Sequence, residues 1–399
     1  MSRSMKLVGL FAGIGGVELG FDRALGRAVE TQLLCEWWSP AQRVLTSRFP
    51  GVELHPDVRE LRDLPSGCDV VAAGFPCTDL SQAGLTAGIT GDQSSLVSHL
   101  FQALRVVEKR AHRLPWLLIE NVPNMLALDR GRAMRYLVDE LEALGYRWAY
   151  RVVDSRFTGV PQRRRRVLLV ASKSEDPRNV LFADDAGLRP DEELADDAYG
   201  FYWTEGRGGL GWAEDAVPTL KGGSTIGIPS PPAIWIPDAQ PGRKFVTPLV
   251  EDAEELQGFP RGWTATADGR GLKNGPRWKL VGNAVTVGVA AWVASRLAEP
   301  GHSAAPSREW RGPAAWPTAA WGDNGTVNAV EISEHPRLEP YRHLLDVVDR
   351  NAAPALSHRG ASGFARRLEQ GNLGRTPGFR EDVAEHVDAT GLGMEPLAV

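Results

Sequence analysis

The stretch that decides the fold is Leu7-Val8-Gly9-Leu10-Phe11-Ala12-Gly13-Ile14-Gly15-Gly16. It reads as an apolar strand that runs directly into a glycine-rich turn, and a helical pattern begins at Val17. Glycines in such a turn let a ligand approach the backbone closely, and they leave the first amides of the helix free to donate hydrogen bonds. The spacing of Gly13, Gly15 and Gly16 is G-x-G-G, which misses the dinucleotide fingerprint. The stretch predicts the first strand, turn and helix of a doubly wound α/β domain.

Residues after the next apolar stretch point to a nucleoside that lacks a pyrophosphate. Glu36, Trp37 and Trp38 follow the apolar residues 31–35, and Asp57 lies near the next short apolar segment. A carboxylate at the end of a second strand can hold both ribose hydroxyls, and a neighbouring indole can stack on adenine. Each acidic residue, taken alone, is explained more simply as a solvated helix cap.

A thiol follows a third apolar strand. The tetrad Gly74-Phe75-Pro76-Cys77 comes directly after residues 69–73. Parallel strands deliver functional groups at their carboxyl ends, so a cysteine in a proline-stiffened loop at this place is positioned as a nucleophile. The alternative is an inert cysteine buried in the core.

Two further clusters carry charge at the ends of apolar segments. The strand pattern of residues 116–119 ends at Glu120, and a carboxylate is rarely found there without a partner or a task. Residues 162–166 read Gln-Arg-Arg-Arg-Arg and precede the apolar residues 167–170. The run is either a solvated basic segment or a binding element. In an extended segment Arg164 and Arg166 would share one side.

These clusters, in this order, resemble the motif series of the DNA cytosine C5 methyltransferases over residues 5 to 295. The similarity continues through Thr247-Pro248, residues 255–260 and Gly282-Asn283-Ala284-Val285. The resemblance implies a Rossmann-like domain that uses S-adenosylmethionine as its cofactor. It implies transfer of the methyl group to C5 of a cytosine in a specific duplex DNA sequence, after the base has been flipped out of the helix.

The resemblance also assigns roles to individual residues. Cys77 matches the nucleophile that adds to C6 of the base, and Glu120 matches the carboxyl group that binds N3 and the exocyclic amine. Arg164 and Arg166 match arginines that contact the base carbonyl and orient the cysteine loop. The matched cofactor contacts are Phe11, Gly13, Gly15, Gly16, Glu36, Trp37, Asp57, Pro76, Asn283 and Val285. The expected DNA contacts are Ser81, Gln82, Arg163, Arg165, Arg243 and Lys244.

The composition fits this assignment without suggesting it. There are 45 basic and 50 acidic residues, a net charge of −5, so the DNA cleft must be basic locally. Three cysteines have no metal-ligand spacing and suit a reducing cytoplasm, and no metal is expected. We find no apolar run of bilayer-spanning length and expect no membrane association. The family implies a cytoplasmic monomer, a bacterial or phage modification enzyme that acts alone or beside a restriction endonuclease of the same site.

The chain has room for two domains and an appendage. We predict a catalytic and cofactor-binding domain at residues 1–172, completed by residues 276–297, and a small irregular target-recognition domain at residues 173–275. Residues 298–399 form a C-terminal extension outside the resemblance, with three tryptophans in an extended part and helical spacing after it. The extension either stabilises one domain or adds DNA contacts through His358, Arg359, Arg366 and Arg367.

Three alternatives remain open. A transfer RNA cytosine C5 methyltransferase of the same architecture would carry a Cys-Phe-Thr signature, which this sequence lacks. A catalytically silent DNA-binding homologue is disfavoured because Cys77, Glu120, Arg164 and Arg166 are all present. A nicotinamide-dependent oxidoreductase is disfavoured by the missing fingerprint.

Overall fold

The structure is a computed structural model, which describes residues 3–76, 96–111, 113–204, 209–222, 231–267, 275–312 and 315–391. The chain forms two compact units, each assembled from three segments. Unit 1 comprises Met1–Thr158, Arg165–Leu188 and Ala284–Leu338. Unit 2 comprises Gly159–Arg164, Arg189–Asn283 and Glu339–Val399.

The elements are numbered in chain order. The strands are β1 Met5–Leu10, β2 Val29–Cys35, β3 Glu53–His55, β4 Val70–Ala73, β5 Trp116–Asn121, β6 Arg147–Asp154, β7 Gln162–Arg163, β8 Arg165–Ser172, β9 Tyr199–Phe201, β10 Ala213–Glu214, β11 Val217–Pro218, β12 Ala233–Trp235, β13 Phe245–Val246, β14 Ser307–Glu309, β15 Ala319–Asp323 and β16 Thr326–Val330. The α-helices are α1 Gly16–Leu25, α2 Ser39–Arg48, α3 Leu96–Ala111, α4 Arg132–Ala143, α5 Arg178–Leu181, α6 Val250–Leu256, α7 Gly275–Asn283, α8 Val287–Ala298, α9 Leu344–Val347, α10 His358–Gly371 and α11 Phe379–Gly391. Short 3₁₀ helices lie at Gly26–Ala28, Pro123–Leu126, Leu128–Gly131, Ser155–Thr158, Asp191–Glu193 and Ala265–Ala267.

Unit 1 is built on a ten-stranded sheet of order β14-β16-β15-β6-β8-β5-β4-β1-β2-β3. Strands β3, β2, β1, β4 and β5 are parallel, whereas β8, β6, β15, β16 and β14 join by antiparallel pairing. Strand β2 lies on one side of β1 and β4 on the other, so the order reverses at β1. Ligands of open α/β sheets bind at such a switch point, beyond the carboxyl ends of the strands.

Apolar clusters cover both faces of this sheet. One contains α3 and α4, and the other contains α1, α5 and α8. Helices α1 and α8 pack so closely that a Cβ on Gly20 would lie 2.5 Å from the Cβ of Ala290. The predicted doubly wound α/β class is therefore confirmed.

Unit 2 is smaller and has short strands. It contains a four-stranded antiparallel sheet of order β10-β9-β12-β13 and the parallel pair β11-β7. Its apolar clusters combine residues 198–281 with residues from the end of the chain, including Phe364 and Phe379 on helices α10 and α11. The final third of the unit therefore contributes to its core.

The boundaries of the compact units differ from those predicted. The C-terminal extension is divided, because β14–β16 extend the sheet of unit 1 while α9–α11 pack within unit 2. The segment expected to complete the catalytic domain is divided as well, since α7 belongs to unit 2 and α8 to unit 1. Pairing over long sequence separations, which local patterns do not contain, sets these divisions.

One stretch corrects the expectation about apolar runs. Residues Gly275–Ala298 are long and apolar enough to cross a membrane by length and composition, with a mean hydropathy of 1.4. They form two helices, α7 and α8, and 67% of the most apolar stretch is buried inside the protein. Burial of this kind is typical of the core helices of a globular fold.

Candidate active site

The glycine-rich turn after β1 has an unusual backbone. Phe11, Gly13 and Gly15 have φ values of 57°, 58° and 81°, and a non-glycine residue such as Phe11 adopts this left-handed conformation at a cost. A Cβ on Gly15 would lie 2.3 Å from Cε2 of Phe49, so only glycine fits there. Apart from Gly13 and its two chain neighbours, no described residue has an atom within 4 Å of the Cβ position of Gly13. The turn is tight on its inner side and open above Gly13.

Glu36 connects this turn to the end of β2. Its Oε2 accepts a hydrogen bond from the amide of Gly13 at 2.9 Å, and its Oε1 accepts one from the amide of Trp38 at 2.8 Å. Burial raises the pKa of this carboxyl, while backbone amides, that of Trp38 foremost, act in the opposite direction. The carboxylate is thereby held at the carboxyl ends of β1 and β2.

A cavity of about 220 Å³ opens beside Glu36. The indole of Trp37 borders it and is 71% exposed, although large apolar side chains are normally covered. The lining residues are Phe11, Cys35, Glu36, Trp37, Asp57, Val58, Arg59 and Leu96. Four residues expected to contact the cofactor, Phe11, Glu36, Trp37 and Asp57, thus border one cavity.

Asp57 has a partner that the sequence analysis missed. Its carboxylate accepts from Nε and Nη2 of Arg59, and this hydrogen bonding lowers the pKa of Asp57. The spacing Asp-x-Arg was the available signal. Arg59 fixes the carboxylate at the rim of the cavity and keeps it ionised.

Glu18 lies directly behind the turn, on α1. Its carboxyl is 2% exposed, and a Cβ on Gly9 would lie 1.9 Å from its Oε1. Burial raises the pKa of Glu18 to about 7. No sequence signal distinguished this residue from a solvated position in the first turn of a helix.

The strand β4 ends at the tetrad that contains Cys77. Phe75 is buried and packs edge-to-face on Phe11, with ring centroids 6.1 Å apart, whereas Pro76 is exposed. The carbonyl of Phe75 accepts a hydrogen bond from Nδ2 of Asn121 at 3.0 Å. Cys77 lies outside the described residues, as do Ser81 and Gln82. Asn121, which directly follows Glu120, was not among the predicted site residues.

Glu120 and Arg166 form an ion pair on adjacent antiparallel strands. Nε of Arg166 lies 2.9 Å from Oε1 of Glu120, and the two side chains are 14% and 12% exposed. A Cβ on Gly74 would lie 3.9 Å from Oε2 of Glu120. The carboxylate therefore stands beside the start of the Gly74-Phe75-Pro76 segment.

The basic run is divided between strands of two different sheets. Strand β7 ends at Arg163 in unit 2 and pairs with β11, whereas β8 begins at Arg165 in unit 1 and pairs with β5 and β6. Arg164 lies between the two strands and belongs to unit 2, whereas Arg166 is on β8 in unit 1. The competing strand partners, which the local sequence does not show, divide the run.

The other arginines of the run have protein partners. Nη1 of Arg164, a residue that is 2% exposed, donates to the carbonyls of Leu220 and Gly282 within unit 2. Arg163 donates to the carbonyl of Gly211, and Arg165 forms an ion pair with Glu334.

The remaining predicted site residues lie in both units. Nη2 of Arg243 donates to three carbonyls of residues 350–353, and Lys244 forms ion pairs with Asp382 and Glu385. Asn283 is exposed in unit 2, and Val285 is half-buried in unit 1. The contacts of Arg243 and Lys244 hold the end of the chain to unit 2. The predicted roles of these residues remain predictions.

The residues of α10 named for DNA contacts are also divided. Arg367 donates to the carbonyl of Trp203, and Nδ1 of His358 contacts the carbonyl of Val387. Arg359 and Arg366 are exposed. Arg367 and His358 therefore stabilise unit 2, whereas Arg359 and Arg366 face outward.

Comparison with known proteins gives consistent matches. A profile of the family C-5 cytosine-specific DNA methylase matches residues 5–196. Type II methyltransferase M2.BsuMI of Bacillus subtilis (strain 168) is 46% identical over 373 residues, which cover 91% of this chain and 93% of that protein. Type II methyltransferase M.MspI of Moraxella sp is 25% identical over 74% of this chain and 71% of its own length. The crystal structure of S. pombe Dnmt2 methyltransferase matches 74% of this chain and 98% of its own, with a TM-score of 0.53 and 14% identity, which shows similarity of fold.

Proposed function

Because the chain belongs to the C-5 cytosine-specific DNA methylase family and is a DNA cytosine-5 methyltransferase, we propose that it methylates cytosine through a covalent bond between Cys77 and C6 of the base. The methyl group comes from S-adenosylmethionine. The observation that carries the proposal is the Glu120–Arg166 ion pair beside Gly74, together with the hydrogen bond from Asn121 to the carbonyl of Phe75. Both contacts lie at the segment that leads into Cys77.

The cavity beside β2 fits S-adenosylmethionine. Glu36 presents a fixed carboxylate for ribose hydroxyls, the exposed face of Trp37 can stack on adenine, and the open space above Gly13 admits a ligand to the backbone. Asp57 adds a second carboxylate at the rim. When bound, the cofactor supplies an electrophilic methyl group.

Side chains of the protein activate the cytosine ring. The thiolate of Cys77 adds to C6, which makes C5 nucleophilic enough to take the methyl group. A proton acceptor then removes the C5 proton, and the bond between Cys77 and C6 breaks to release the thiolate. Glu120 binds N3 and the exocyclic amine during the addition, and Arg166 holds Glu120 and faces the base carbonyl.

The two described cysteines support Cys77 as the nucleophile by contrast. Burial raises the pKa of Cys35 to about 12, and the negative charges of Glu36 and Asp57 act in the same direction. Burial also raises the pKa of Cys68 to about 12. Both thiols stay protonated at neutral pH, so neither is suited to nucleophilic addition.

Duplex DNA must release the cytosine before this chemistry can occur, because attack on C6 comes perpendicular to a ring whose faces are stacked. Ser81 and Gln82 follow Cys77 and would fill the space that the flipped base leaves. Unit 2, with its short strands and loops, would read the target sequence. Arg163, Arg165, Arg243 and Lys244 would reach DNA by exchanging their present partners for phosphates.

The biological role follows from the relatives. M2.BsuMI and M.MspI are both called Type II methyltransferases, and we propose that this protein is likewise a modification enzyme. Its partner would be duplex DNA, with a restriction endonuclease that cuts the same unmethylated site. It would act as a monomer in the cytoplasm.

The test is transfer of a labelled methyl group from S-adenosylmethionine to mixed-sequence duplex DNA and, in parallel, to transfer RNA. The proposal predicts 5-methylcytosine in the DNA and loss of transfer in Cys77→Ser, which should bind the cofactor within a few fold of the wild type. Label in the transfer RNA alone would favour the RNA-modifying alternative. Cofactor binding with no transfer to either nucleic acid would favour a silent homologue.

A further inference from the structure

A basic turn on unit 1 contains none of the residues that were predicted to contact DNA. It comprises residues 128–135, begins eight residues after Glu120 and carries a net charge of +2 in a protein whose net charge is −5. Its three arginines, Arg130, Arg132 and Arg135, are all exposed. The strand that presents Glu120 therefore leads into a patch of opposite sign to the protein as a whole.

The backbone of this turn is strained. Asp129, Arg130 and Gly131 are consecutive left-handed residues, with φ values of 50°, 55° and 81°. For the two non-glycine residues this conformation is sterically strained. Such a turn persists when surrounding contacts enforce it, and strained segments cluster at functional sites.

Trp316, from the C-terminal extension, enforces the turn. Its Nε1 donates to the carbonyl of Gly131 at 3.0 Å, and its own amide donates to the carbonyl of Leu126 at 3.3 Å. The indole is buried against Trp148 and Trp310. The C-terminal extension thus fixes the backbone that carries the arginines.

The charges of the turn are incompletely balanced. Arg132 lies 3.5 Å from the carboxylate of Asp129, and the guanidinium of Arg135 lies over the ring of Trp316 at 4.8 Å. Within the described part of the chain Arg130 forms no ion pair. The turn carries three exposed guanidiniums and one acid, and Asp139 lies near Arg135 on the next helical turn. The remaining excess of guanidiniums is complementary to a row of phosphates.

We propose that the basic turn binds the phosphate backbone of the DNA substrate beside the target cytosine. The inference rests on the proposed function, because Glu120 marks where the base must lie. Guanidiniums that contact phosphates position the duplex and carry no sequence information. The fixed turn would hold the strand while unit 2 reads the sequence.

The experiment measures binding of the full chain to mixed-sequence duplex DNA at several salt concentrations. The variant Arg130→Gln/Arg132→Gln should bind DNA at least about tenfold more weakly, and the slope of log K against log salt should become shallower by about 2. The matched control is Arg27→Gln/Arg113→Gln. These arginines are exposed in unit 1 but precede the amino ends of β2 and β5, at the opposite edge of the sheet.

A third variant tests the turn by gain of binding. Asp129→Asn removes the acid and keeps a residue type that tolerates the left-handed conformation, so DNA affinity should rise a few fold. Equal weakening by the two double variants, or unchanged binding in both Arg130→Gln/Arg132→Gln and Asp129→Asn, would overturn the inference. Failure of the wild type to bind and methylate DNA would instead overturn the proposed function.

Discussion

The carboxylate of Glu36 has both oxygens engaged by backbone amides, those of Gly13 and Trp38. In Glu36→Gln one oxygen becomes an NH₂ group, which faces an amide donor and cannot accept its hydrogen bond. We expect the dissociation constant for S-adenosylmethionine, measured by calorimetry, to rise at least about tenfold. The control is Glu30→Gln, an exposed residue on β2, the strand that Glu36 follows. An unchanged constant in Glu36→Gln would place the cofactor elsewhere.

Glu18 should make stability depend on pH. Its pKa is about 7 in the folded protein against an ordinary value of 4.5. A raised folded pKa contributes stability that is fully present below pH 4.5 and is lost as the pH rises through about 7. Relative to Glu18→Gln, the wild type should lose about 2.5 kcal/mol of unfolding free energy between about pH 5 and pH 8. Denaturant unfolding of both proteins across this pH range measures the loss. Parallel pH profiles of the two proteins would contradict a raised pKa of Glu18.

At the scale of elements, Asn121 links the end of β5 to the segment after β4. Its Nδ2 donates to the carbonyl of Phe75, and its Oδ1 accepts from the amide of Val122. Asn121→Asp keeps the acceptor and loses the donor, so the carbonyl of Phe75 faces a carboxylate instead. We expect kcat to fall at least about tenfold.

The control for this substitution lies three residues further along the chain. Asn124→Asp makes the same change in charge at an exposed position. Cofactor affinity should be retained in both variants, because neither residue borders the cavity beside Glu36. Equal kcat values for Asn121→Asp and Asn124→Asp would contradict a positioning role for Asn121.

Sequence alone predicted the elements that combine an apolar strand with a functional residue at its end. The turn after β1, Glu36 after β2 and Glu120 on β5 lie at strand ends as expected. The division of the arginine run could not be predicted, because it depends on the pairing of β7 with the distant β11. The Asn121–Phe75 contact also joins residues that are 46 positions apart.

For the whole molecule, the C-terminal extension is part of the fold. Strand β15 pairs with β6, and the fully buried Arg151 on β6 donates to the carbonyl of Ser333. Removing residues 299–399 would expose the β6 edge and leave a buried guanidinium with one fewer acceptor. It would also remove Phe364 and Phe379 from the core of unit 2. The sequence indicated ordered packing here, but not that the extension would be divided between two units.

We expect the chain that ends at Ala298 to show no cooperative thermal transition, although it retains the family motifs. The control is a chain that ends at Gly391, which keeps every helix and strand of the described residues and should melt like the wild type. Differential scanning calorimetry compares the three proteins. A melting temperature of the short chain equal to that of the wild type would show that the extension is dispensable.

The central claim is that Cys77 attacks a cytosine held by Glu120. It is tested most directly with duplex DNA that contains 5-fluorocytosine, because fluorine cannot leave C5 as a proton does and the enzyme stays attached. With S-adenosylmethionine present, we predict a denaturation-resistant complex whose DNA maps to Cys77, and a slower yield of the complex in Glu120→Gln. Attachment at another residue, or no complex from a protein that demonstrably binds cofactor and methylates ordinary DNA, would contradict the account.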